Sequence, residues 1–86
     1  MEVYMEDAIK IVGGIANIAR SVNKNLELRE LAAILNLFGQ MTSEGREYAN
    51  PGRLVIKAKD EYTRIGDTTT ADNITLVFGN IDVSLL

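Results

Sequence analysis

The residues able to do chemistry in this chain are few and of a narrow kind. Arg46, Arg53, Lys57 and Arg64 gather around a Pro51-Gly52 step. Arg53, Lys57 and Arg64 fall at steps of four and seven, which places them on one face of a helix. Gly52 at the start of such a helix exposes backbone N–H groups, and free N–H groups at a helix start attract anions. That chemistry suits a phosphate, a nucleotide or a nucleic-acid backbone. Glu44, Glu47, Asp60 and Glu61 stand among the same residues and halve the positive field. Walker spacing and its lysine are absent. A capped, solvated helix start accounts for the same residues.

The other reactive types are no better arranged. The chain has no histidine and no cysteine, so it has no Ser-His-Asp or Cys-His set, no zinc-finger ligands and no disulfide. Asp60-Glu61, Asp67, Asp72 and Asp82 are carboxylates without EF-hand order, and solvated surface is their simplest reading. Ser21, Thr42, Ser43 and Thr68-Thr69-Thr70 have only Lys10, Lys24, Lys57 or Lys59 as a conceivable base. Helix capping explains those hydroxyls more simply. No catalytic residue, metal ligand or cofactor is expected.

The elements that hold these residues read as helical. In 86 residues, 47% are hydrophobic and 24% charged, which is globular rather than disordered composition. Mean hydropathy is +0.03. Aromatics are only 6%, so a single domain over 1–86 has a thin aliphatic core. The net charge of −3 argues against a general nucleic-acid binder. The acidic start Met1-Glu2-Val3-Tyr4-Met5-Glu6-Asp7 does not read as a signal peptide. The apolar stretch from Ala8 to Val22 is too short and interrupted to span a bilayer. A cytoplasmic protein without membrane contact is expected.

Apolar residues at spacings of three and four predict a first helix over about 5–22. Its apolar stripe is wide enough for neighbours on two sides. Gly13-Gly14 in its middle implies either a kink or a close approach. A second helix over about 26–41, capped by Asn25, carries Leu28, Leu31, Ala32, Leu35 and Phe38 in one row and Ile34, Leu37 and Met41 in another. Residues 42–49 read as a loop, with room for a helical turn at 43–48 and with Tyr48 packed back on the core. Asn50 as cap and Pro51 at the first helical position start a third helix over 51–65, which Gly66 ends. A fourth helix is expected over 68–78. The alternative there is a β-hairpin pairing 74–78 with 81–85 through Gly79-Asn80.

Gly52-Arg53, Ala58, Tyr62, Gly66-Asp67, Ala71, Ile74 and Phe78 together resemble a pattern in small helical proteins of phage and prophage gene clusters. The resemblance covers about a third of the chain. It implies a helix at 68–78 and a phage or mobile-element accessory or inhibitor role, and it implies no activity. The chain lacks the aromatic residue that the pattern carries near its C-terminus.

The fold class expected is therefore all-α, a small bundle of about four helices. The first helix and the apolar chain end leave more apolar face than so small a core absorbs. Ile11, Ile15, Ile18, Val83, Leu85 and Leu86 are the expected interface, either with a partner protein or in a homo-oligomer. A non-enzymatic protein-binding role is the leading expectation. The alternative is a nucleotide- or nucleic-acid-binding module built on Arg46, Gly52, Arg53, Lys57 and Arg64.

Overall fold

A computed structural model describes residues 5–79 of the chain. The spacing of small and branched aliphatic residues at positions 8, 9, 12, 16 and 19 builds α1 (Asp7–Ser21), which buries Ala8, Ile9, Val12, Gly13, Ala16 and Ala19. Next come α2 (Leu28–Leu37), α3 (Gly52–Arg64) and α4 (Thr68–Phe78). No strand occurs among the described residues. Leu31 and Leu35 from α2, Val55 and Ala58 from α3, and Ile74 and Val77 from α4 join the α1 residues in one aliphatic core. α1, α3 and α4 pack closely on one another, and α2 lies more lightly against α1.

Gly13 explains how α3 comes so close to α1. A methyl group placed there would fall inside the Tyr62 ring, while the space beside Gly14 is open. Of the two readings of this glycine pair, the close approach is the one realised. The ring of Tyr62 lies on the bare backbone of α1, and burial together with nearby Asp67 raises its hydroxyl pKa. One turn of α3 earlier, Lys57 Nζ donates to Glu6 Oε1 at 2.8 Å. The two contacts fix α3 alongside α1, both running the same way.

Three of the helices end in the same device, in which the two residues past the helix cap donate backward to the last turn. At α3 Gly66 adopts φ +86°, its N–H reaches Thr63 O at 3.1 Å and the Asp67 N–H reaches Tyr62 O at 2.9 Å. At α2 Gly39 takes φ +75°, with Gly39 N–H on Asn36 O and Gln40 N–H on Leu35 O, both at 3.0 Å. At α1 Asn23 plays the glycine's part at φ 60°. The stop at Gly39 ends α2 four residues before the expected limit of 41.

The helix starts differ in detail from expectation. Glu27, not Asn25, caps α2, because the Glu30 carboxylate reaches back to the Glu27 N–H at 3.0 Å. Pro51 occupies the cap of α3 rather than its first helical position, and Asn50 acts one residue earlier by accepting the Gly52 N–H at 3.2 Å. Residues 43–48 form no helical turn; Thr42 N–H to Arg46 O and Gly45 N–H to Thr42 O close a tight turn there.

The helix prevails over the hairpin at 68–78 because Asp67 caps it well. Its carboxylate accepts the Thr70 N–H at 3.1 Å and the Thr70 hydroxyl at 2.7 Å. Thr70 Oγ1 also accepts from Asn17 Nδ2 of α1, and Asn17 Oδ1 accepts from Asn73 Nδ2. The cap of α4 is thereby tied to α1. The proposed partner residues 81–85 lie outside the described residues.

Two predictions follow from these contacts. Gly13→Ala gains up to about 1 kcal/mol of helix propensity but must push Tyr62 off α1. A net loss of about 1–2 kcal/mol is expected in urea unfolding. Gly14→Ala meets nothing and should stabilise by about 0.5–1 kcal/mol. Equal effects at the two glycines would contradict the close approach. The second concerns Asp67, whose carboxyl the Thr70 hydroxyl and N–H hold below its ordinary 3.8. A lowered native pKa stabilises above the ordinary value, and that gain is lost as pH falls through the native one. Thermal melts of wild type and Asp67→Asn should therefore differ near neutral pH and converge in acid below 3.8. A difference independent of pH would contradict the ionised cap.

Candidate functional site

The basic set does not assemble as a unit. Gly52 is buried at the start of α3, and its N–H is already held by Asn50. Arg53 and Lys57 line an open cleft of about 540 Å³ between that start, the loop at 42–50 and Glu6. Glu6 and Glu44 line the same cleft, so its charge is balanced. The hydrogen bond from Lys57 to Glu6 raises the lysine's pKa. Burial, with Glu6 adding to it, raises that of Tyr48 on the cleft wall. Arg64 pairs with Glu61 on α3, and that bond lowers the Glu61 pKa. Arg46 is exposed and its backbone carbonyl and N–H both bond Thr42. Neither Arg46 nor Arg64 lines the cleft.

The hydroxyls serve the backbone. Ser21 donates to Ile18 O, Thr42 accepts from the Arg46 N–H, and Thr70 donates to its own helix cap. Among the described residues no three carboxylates come together as metal ligands. No helix there is long and apolar enough to cross a membrane.

One loop shapes both the cleft and the surface beside it. The connection from α2 to α3 spans 38–51, long for a compact domain, and loops of that length are commonly functional. Asn36 holds it in place. Its side-chain amide donates to Tyr48 O at 2.9 Å and accepts the Tyr48 N–H at 2.7 Å, much as a neighbouring strand would. Where the loop leaves α2, three large apolar side chains stand in solvent: Leu37 is 84% exposed, Phe38 63% and Met41 61%. From Leu31 to Ser43 the chain carries no ionisable side chain at all.

The residues expected at an interface differ in burial. Ile11 and Ile15 are half-buried and pack against the core, while Ile18 is exposed beside Val22. Val83, Leu85 and Leu86 lie outside the described residues. Leu37, the last residue of α2, is the most exposed large apolar residue among the described ones, and Phe38 and Met41 just past the helix are exposed with it. The uncharged run 31–43 was the signal available for it. Comparison of the chain with known protein families, curated proteins and solved structures finds no match.

Removing the Asn36 amide strips the Tyr48 backbone of two partners in a half-buried place. Asn36→Ala should cost about 1–3 kcal/mol and speed hydrogen exchange at the Tyr48 amide well above that at core amides. Unchanged exchange at Tyr48 would show that the loop holds itself.

Proposed function

We propose that the protein is a non-enzymatic protein-binding module and that it binds through the apolar end of α2. The observation that carries this is the exposure of Leu37, Phe38 and Met41 together within an uncharged run. Single exposed hydrophobics are ordinary on soluble proteins. Three large ones within five residues of one uncharged run depart from that pattern, and exposed apolar patches mark interaction sites. The balanced charge of the neighbouring cleft favours this reading over nucleotide or nucleic-acid binding. The resemblance to phage and prophage proteins makes an accessory or inhibitor role the natural setting.

The patch should be dispensable for folding. Leu37→Ser with Met41→Ser is expected to leave urea stability within about 0.5 kcal/mol of wild type. A photoreactive residue at position 38 should give discrete protein adducts in cells. Excess wild type should compete them away and the double serine variant should not. A photoreactive residue at exposed Lys59 should give none. A stability loss above about 2 kcal/mol would place Leu37 and Met41 in the core. Equal labelling at 38 and 59, or none at 38, would remove the reading.

A further inference from the structure

We infer that residues 27–49, α2 with most of the loop that follows it, open and close as one hinged flap against a closed unit of α1, α3 and α4. Leu37, Phe38 and Met41 lie within this flap. The inference rests on how the flap is tied, not on the reading of those three as a binding face.

The hydrogen bonds divide the chain in two. Among the described residues, the loop and side-chain hydrogen bonds of 27–49 stay within that segment. The Glu30 carboxylate accepts the Glu27 N–H, and the Gly39 and Gln40 N–H groups bond back to Asn36 and Leu35. Thr42 bonds Arg46, and Asn36 holds both backbone groups of Tyr48. That last contact closes the loop onto its helix, so the two move together while it holds. The other three helices are bonded to one another instead. Lys57 of α3 reaches Glu6 at the start of α1, and Asn17 of α1 bonds both Thr70 and Asn73 of α4.

Apolar burial holds the flap shut. Leu31 and Leu35 are fully buried, Ala32 is buried beside them, and Leu28 and Tyr48 pack in part against the core. α2 lies only lightly on α1, whereas α1, α3 and α4 pack closely on one another. Local openings follow such divisions, where a segment is cohesive within itself and lightly held from outside. Both ends of the flap are pinned. The Leu26 N–H donates to Val77 O of α4 at 3.1 Å, and Pro51 is fully buried just ahead of α3. The swing therefore leaves its two ends in place and the seat of Tyr62 on Gly13 intact.

Native-state hydrogen exchange of the full chain tests this, read residue by residue in urea below the unfolding transition. An opening that exposes less surface than global unfolding depends less steeply on urea. The amides of 32–37 and of Tyr48 should share one level of protection and one urea slope. That slope should be smaller than at Val12, Ala16 and Ala19 of α1, with protection at least about tenfold lower. Asn17→Ala then separates the two units. It removes bonds that stay closed while the flap swings. The α1 and α4 amides should lose about two- to tenfold in protection, and those of 32–37 should not change.

Equal protection and equal slopes in α1 and α2 overturn the inference, because the whole domain would then open at once. A loss of protection at 32–37 in Asn17→Ala equal to that in α1 overturns it as well. A Tyr48 amide that exchanges apart from 32–37 would mean that the loop opens alone, and the flap falls. None of these measurements needs a partner, so the protein-binding reading stands or falls separately.

Discussion

The missing side chain at Gly13 is the constraint on which the packing of this protein turns. Helices of ordinary composition keep their axes about 8–10 Å apart, because side chains from both fill the gap. Here the Tyr62 ring of α3 takes the place that a side chain at Gly13 would occupy, beside Val55 and Ala58 of the same helix in the shared core. The rest of α1's inner face is suited to the same closeness, with Ala8, Ala16 and Ala19 buried beside Gly13. Once Tyr62 is placed, Gly66 four residues past it turns the chain at positive φ and sends α4 back against α1. The bonds from Asn17 to Thr70 and from Asn73 to Asn17 then lock that return. A thin aliphatic core holds together in so short a chain because its helices approach closely, not because its side chains are large.

α2 stands outside this arrangement and depends on different contacts. It contributes Leu31 and Leu35 to the core, then stops at Gly39, with Asn36 holding the following loop by the backbone of Tyr48. The early stop shapes the surface. In a helix continued to residue 41, Met41 would share the outer row of Leu37, as the periodicity of the sequence suggests. With the helix ended at Leu37, both Phe38 and Met41 fall in loop geometry and stay in solvent.

Much of the architecture was legible in the residue pattern. The helices at 7–21, 28–37 and 52–64 and the stop at Gly66 follow from spacing and capping types that act locally, whereas at 68–78 those local signals fit a hairpin as well as the helix that forms. What the pattern did not yield depends on which residue is already committed elsewhere. Asn25 is as good a capping type as any, but Glu27 with Glu30 satisfies the N–H groups two residues later. Pro51 and Asn50 suit a helix start in either of two registers, and tertiary packing of the buried Gly52 selects one. The candidate sites were harder still. Arg53, Lys57 and Arg64 share a face by arithmetic, yet Arg64 is drawn to Glu61 and Lys57 to Glu6. The partner Glu6 lies 51 positions away from Lys57, beyond anything spacing can show. Counting apolar residues located the surplus on the first helix. Ile11 and Ile15 pack against the core, while Ile18 and Val22 stay exposed there and Leu37, Phe38 and Met41 stay exposed at the end of α2 and past it.

That exposure bears on why Leu37, Phe38 and Met41 are apolar at all. Burial stabilises a fold in proportion to the apolar area removed from water, roughly 25 cal/mol per Å². Side chains left 61–84% exposed gain little of it. Leu37 lies on the solvent side of a helix whose inner side already carries Leu31 and Leu35 at full burial. Serine or lysine there would serve the helix as well and keep the monomer more soluble. Among the described residues the core does not draw on these three side chains, and the run from 31 to 43 places no charge among them.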